Sequence, residues 1–287
     1  MTQALSDVVR ATRAWPIFAF YVLATLTVAV VIALMTVNVI DLGMDHFGDA
    51  THRSHDVAYG LLFTTLVVGV LAQVRRPERN VAAMVMSIVP PAALLFVGVR
   101  ADQVDRVFEY NPLRYGAAVA AVVLLLHPSG RGFTRSFRAA RISWPMLGLV
   151  GVAAVPLLGF ASTNITQQRT VIDVHAMMGH FGFMAALSYT VIAVGVLASL
   201  RPVGWRLTAW VAGLLPALLG ITSLLYPDAV SSLDTAWSLA AVVWGLAFIA
   251  LATQTPDAGT IVPRTSGDGA IEPQPRVGSS TAPAGER

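Results

Sequence analysis

The sequence predicts an all-α, polytopic transmembrane protein of about eight helices, built as two parallel four-helix repeats. Composition, the spacing of apolar runs and an internal self-similarity lead to this reading. Of 287 residues, 55% are hydrophobic and only 12% charged, too few solvating groups for a water-soluble globule of ordinary surface chemistry. A bilayer core of roughly 30 Å demands about 20 apolar residues per helix.

Eight runs come near that length. They are Pro16 to Ile40, Val57 to Val74, Val81 to Val99, Leu113 to Leu126, Trp144 to Phe160, Val174 to Leu200, Trp205 to Leu225 and Leu233 to Thr253. The fourth is short, and Tyr110, Arg114 and Tyr115 extend it by reaching the interface. The first exceeds a signal-peptide core and is expected to be retained. The resulting domains are a segment at 1–15, a first repeat at 16–127, an Arg-rich linker at 128–143, a second repeat at 144–253 and a disordered tail at 254–287, rich in Pro, Gly, Ser and Thr.

All nineteen basic residues are arginine, and they alternate by loop. One side, with the N-terminal segment and the tail, holds fourteen, including Arg75, Arg76, Arg79, Arg131, Arg135, Arg138, Arg141, Arg201 and Arg206. The other holds Arg53, Arg100, Arg106, Arg114 and Arg169. The positive-inside bias then puts both termini in the cytoplasm, which requires an even number of spans. The absence of lysine fits a GC-rich bacterial genome, so the expected location is the bacterial inner membrane. Basic residues spread this way are topology signals, not a nucleic-acid patch. The expected partners are membrane lipids and possible membrane proteins, with no nucleic acid.

Sliding the halves past each other by 126 residues lays Val68-Gly69-Val70-Leu71-Ala72 on Val194-Gly195-Val196-Leu197-Ala198. In the same register Arg75 falls on Arg201, Pro90 on Pro216 and Asp102 on Asp228. Four spans per unit return the chain to its starting side, so the units are parallel. Gly69 and Gly195 are the small residues expected to let helices approach.

Chemistry concentrates on the arginine-poor side. His46, His52 and His55 precede the second run, and His175 and His180 open the sixth, whereas His127 lies at the opposite, interfacial end. The spacing of Asp49, His52 and Asp56 places them along one helical face, with His55 close by. Asp173, His175 and His180 answer from the second half. These suggest His52, His55, His175 and His180 as ligands of a cofactor, a divalent metal or haem, with Asp49, Asp56 and Asp173 as carboxylates on or behind the metal. A histidine at the lipid headgroup boundary is also tolerated without any function, and the spacing leaves open whether the two clusters meet. Zero cysteine excludes disulfides, thiolate zinc sites and covalently attached c-type haem.

No charged residue lies in the middle of a run, which weakens ion-coupled transport. Asn38 and Asn164 are the polar side chains nearest the bilayer. There is no G-x-S-x-G, phosphate-binding glycine loop or dinucleotide fingerprint. Three functions remain open: redox or metal handling at the histidines, passage of a neutral or lipid-like substrate between the repeats, and a non-enzymatic scaffold.

Two parallel four-helix units, with histidine near the outer end of the second span of each, resemble the layout of haem A synthase. The string Asp49-Ala50-Thr51-His52-Arg53 is similar to that family's acidic-x-x-H-R motif. The resemblance implies His52 and, in the second half, His175 as haem or metal ligands, with Asp49 as acidic partner and with ligands from the two halves meeting at their interface. The chain departs from the family in having no histidine in its eighth run and no outer-loop cysteine.

Overall fold

The computed structural model describes residues 17–26, 52–109, 113–129, 131–138 and 141–256. These form α1 (Ile17–Leu26), followed by α2 (Arg53–Arg75), α3 (Val81–Ala101), α4 (Leu113–Leu125), α5 (Arg131–Arg138), α6 (Trp144–Thr170), α7 (Val174–Met177), α8 (His180–Leu200), α9 (Trp205–Leu225) and α10 (Thr235–Gln254). There is no strand among the described residues. Six helices, α2, α3, α6, α8, α9 and α10, are long and apolar enough to cross a membrane. The first and fourth expected spans appear as the shorter α1 and α4, and the rest of the first lies outside the described residues. The tail beyond Pro256 lies outside them too.

Helices α2, α8 and α10 run one way and α3, α6 and α9 the other, which gives the bundle two ends. One carries His52, His55, His175 and His180, and the other carries the arginines of the short connections. We call them the histidine end and the arginine end. Burial separates an inner group from a periphery: α8 is 72% buried over its most apolar window, whereas α6 is 17% and α10 28%. On the periphery, Val152, Val155 and Leu158 of α6 and Leu239, Val243 and Leu246 of α10 are exposed, as suits side chains whose solvent is hydrocarbon.

Small residues decide how closely the helices pack. In α9 and α10, a Cβ on Gly213 would stand 2.5 Å from the Gly245 carbonyl oxygen, and one on Gly220 equally close to that of Ser238. The two backbones are in direct contact along this seam, as van der Waals packing in lipid favours. Gly69 of α2 meets the Ala83 carbonyl oxygen and Ser87 of α3 in the same way. Gly195 faces the side chain of Val150 in α6 instead.

The arginine end is closed by polar contacts. The Ala82 amide donates to the Val203 carbonyl at 2.9 Å, and Gly204, at φ 83°, passes so close to Arg79 and Asn80 that no Cβ fits. His127, just beyond the end of α4, is buried against its neighbours here. Its Nδ1 accepts from the Ser129 amide, and its Nε2 lies 3.2 Å from Gln73 Oε1. Burial holds its pKa below the ordinary imidazole value, against the opposing field of Glu78 and a backbone contact at Pro77. It is the neutral ring that this pairing requires.

Replacing Gly213 by Val should force α9 and α10 apart and cost about 1–3 kcal/mol or more. Gly151→Ala, whose Cβ meets nothing within 4 Å, should be neutral or stabilising by up to about 1 kcal/mol. Thermal unfolding of both variants in detergent checks the contrast.

Candidate functional site

Two helix starts build the site. The first turn of α2 carries His55, fully buried, and His52 occupies the position just before the helix. The other pair comes from a broken helix. Asp173 caps the single turn α7, its Oδ1 accepting from the Ala176 amide at 2.9 Å. Gly179 then turns through the left-handed region at φ 77° before α8 begins at His180. A Cβ there would lie 2.9 Å from the Arg106 carbonyl oxygen, so conformation and space both require glycine. The sixth expected span, continuous from Val174 to Leu200, is thus interrupted. In an unbroken helix, positions five apart diverge by about 140° around the axis. The break instead brings the His175 and His180 ring centres to 5.9 Å.

Gln168, fully buried near the end of α6, holds this link in place. Its amide nitrogen donates to the Ala176 carbonyl and to Gln103 Oε1, both at 2.7 Å, and its Oε1 accepts from the Gly182 amide. This helix was expected to end at Phe160. It runs ten residues further because Asn164 and Gln168 both find partners within the bundle.

The four imidazoles meet. His52 stacks on His175 at 4.4 Å between ring centres and lies 5.4 Å from His180. His55 lies 5.3 Å from His175 and 5.0 Å from His180. Four imidazoles bound to one tetrahedral ion through metal–nitrogen bonds of 2.0–2.1 Å place their ring centres about 5.2 Å apart, so the observed separations bracket that distance. Among the described residues, however, no three His, Asp or Glu side chains already present their donor atoms to a common metal position. The spacing is in place, but the ligand nitrogens do not converge.

Hydrogen bonds determine which nitrogens are available. Asn164 Nδ2 donates to the Phe160 carbonyl, which turns its Oδ1 toward Ser231. The Ser231 hydroxyl donates its one proton to that oxygen at 3.1 Å. Its oxygen therefore acts as acceptor toward His55 Nε2 at 3.2 Å, so the proton of His55 sits on Nε2 and its Nδ1 carries a lone pair. On the other side, Asp173 Oδ2 lies 3.2 Å from His175 Nδ1. A carboxylate only accepts, so His175 is protonated at Nδ1 and its Nε2 is the free base. His55 Nδ1, His175 Nε2 and His180 Nδ1 are all buried without a hydrogen-bond partner. Buried polar atoms are nearly always paired, and three unpaired imidazole nitrogens within one cluster are a departure from that rule.

The three carboxylates of the sequence reading fare differently. Asp173 stands behind His175 and touches the cluster only through it. Slight burial would raise its pKa, but the bonds from the Ala176 amide and from His175 outweigh this and hold the carboxyl below its ordinary value. Asp56 is half-buried in the first turn of α2, beside His52 and Arg53. Asp49 lies outside the described residues, as do His46 and Asn38.

Ser231 and Gln168 were not singled out by sequence reasoning. A serine pair in the Y-P-D-A-V-S-S connection looks like ordinary turn composition. What distinguishes Ser231 is its left-handed backbone, φ 63°, which is visible only in three dimensions. Its neighbour Ser232 meets Ser54 hydroxyl to hydroxyl at 2.5 Å and tightens the same contact with α2.

A haem between His52 and His175 does not fit this arrangement, because rings stacked at 4.4 Å and 17° are in direct contact and leave no room for a porphyrin plane. Fold and site together define a helical protein of the membrane-spanning kind with a buried imidazole cluster at one end. No protein-family model, no curated protein and no solved structure matches the chain.

The chain from Asn164 through Ser231 to His55 should behave as one unit. Ser231→Ala and Asn164→Ala are each expected to cost about 1–3 kcal/mol. The double variant should cost less than their sum, with a coupling of about 0.5–3 kcal/mol, read from thermal unfolding of all four proteins.

Proposed function

We propose that the chain is an integral membrane protein that binds one divalent first-row metal ion through His52, His55, His175 and His180. The observation that supports this best is the pattern of tautomers. His55 and His175 each give one ring proton to an acceptor outside the cluster and keep the opposite nitrogen bare and buried inside it. Metal-binding histidines have this arrangement, in which the second acceptor orients the ring and raises its basicity. The bare nitrogens do not yet converge, so on this reading binding is completed by adjustment of the soft terminal torsions of the imidazoles. A donor set of imidazole without thiolate suits zinc, copper, nickel or iron. The ion held decides the use: zinc has no redox chemistry, so it would mean metal handling, whereas copper or iron would open a redox role.

Asp173, Ser231 and Asn164 act in this reading as positioning residues behind the ligands. The arginine end faces the cytoplasm on the same reading, which places the metal on the outer side. The parallel repeat is supported by helix limits: α8 and α9 fall within two residues of α2 and α3 displaced by 126.

Protein carrying an affinity tag without histidine, purified without chelator, is expected to contain stoichiometric metal by elemental analysis. His55→Ala combined with His180→Ala should lose it, and His127→Gln should keep it. Wild-type protein that is folded yet metal-free after equilibration with zinc and copper salts would overturn the reading. Orientation is checked separately, since the chain has no cysteine. In intact cells an impermeant maleimide should label Asp228→Cys and leave Arg141→Cys unmodified.

A further inference from the structure

A cavity of about 480 Å³ lies between α6, α8, α9 and α10, in the half of the bundle nearer the histidine end. Its volume is that of a ligand site. Its two long walls are helical faces, with Pro156 and Phe160 on α6 and Trp237, Ala241 and Trp244 on α10. The residues from 152 to 160 on α6 cover about 12 Å of helix rise, so the cavity is a slot running along the helix axes.

Its chemistry is restrictive. Apart from the tryptophans, the one polar side chain on the wall is Ser188, and its hydroxyl donates to the Met184 carbonyl of its own helix. The Trp244 indole donates to the Leu149 carbonyl at 2.9 Å. That bond ties α10 to α6 at the end of the slot nearer the arginine end. A charged or hydrogen-bonding molecule would lose its hydration inside and find no replacement. The two flanking helices are the least buried of the six long ones, so entry is from the surrounding hydrocarbon. A slot left empty forgoes dispersion contacts along both walls.

We propose that this slot binds one acyl chain of a membrane lipid, lying parallel to the bilayer normal between α6 and α10. The chain comes from the leaflet at the histidine end, because the slot lies in that half of the bundle, where Trp237 is exposed, and the Trp244–Leu149 bond bridges α10 and α6 at its other end. Orientation, apolar lining and lateral access all match an acyl chain. The site is separate from the imidazole cluster and does not depend on whether metal is bound there.

Gly159 offers a specific test. It lines the slot, and a Cβ there meets nothing within 4 Å, so Gly159→Phe starts its side chain into open space at the slot. The full chain is reconstituted in phosphatidylglycerol–phosphatidylcholine vesicles containing a phospholipid with a diazirine in its acyl chain, then photolysed and mapped by peptide mass spectrometry. Wild-type protein is expected to carry adducts on lining residues such as Ala153 and Ala241, as well as on the outward-facing Val155 and Val243. Gly159→Phe should lose the former and keep the latter, and Ala240→Leu, which fills the slot from the opposite wall, should lose adduct at Ala153. Adducts confined to the outward-facing residues of wild-type protein would overturn the proposal and leave the slot to a protein segment. Undiminished lining adducts in both folded variants would also overturn it.

Discussion

Packing of α2 against α8 brings the first turns of two helices from opposite halves of the chain into contact, and the histidine end is organised around that meeting. Tyr59 lies tilted against Phe183 at 4.9 Å one turn inside the imidazoles, which sets the separation at which the rings face each other. Both helices belong to the well-buried group, so the cluster sits at the end of the most constrained part of the bundle. The α9–α10 connection then covers the cluster from the side, with Ser231 and Ser232 bonded to His55 and Ser54 of α2. That reach depends in turn on the backbone contact between Gly213 and Gly245, which holds the two helices of the hairpin together.

Four imidazoles packed ring to ring give up hydration, and the neighbouring groups compensate only in part. Two of the rings are bonded outward, to Ser231 and to Asp173, and the inward nitrogens of three are left bare. The serine holds its position in a backbone region that residues with side chains seldom occupy. The arginine end has its own left-handed residue and unpaired buried nitrogen, both at Arg201, but it pairs both ring nitrogens of its histidine. The histidines of the two ends therefore differ: one has both ring nitrogens paired, and the cluster leaves several of its ring nitrogens bare.

The six long helices were legible in the sequence because lipid leaves a spanning segment little choice: it must be apolar over its length and satisfy its own backbone. The ends of the spans were less legible. Thr163 to Gln168 read as a polar loop, yet they continue α6, because Asn164 and Gln168 are satisfied by residues distant in sequence. The break at Gly179 was hidden inside an apolar run, where a glycine is unremarkable, and its cause is the approach of Arg106 from another connection. The histidines themselves stood out by residue type. Their convergence did not, since pairwise spacing along the chain carries no information about which helices pack side by side. The burial of His127 was not legible for the same reason: its ring meets Gln73, 54 residues away in sequence.

The chain order of the residues around His55 has a consequence in time. His52 and His55 leave the ribosome early, His175 and His180 follow after more than a hundred residues, and Ser231 comes 176 residues after His55. The cluster cannot assemble until α8 has docked on α2, and the tautomer of His55 is not set until the last hairpin closes over it. Maturation of this end is therefore the final act of biogenesis, and a nascent chain halted before the hairpin would already carry every imidazole of the cluster with none of the cover that orients His55.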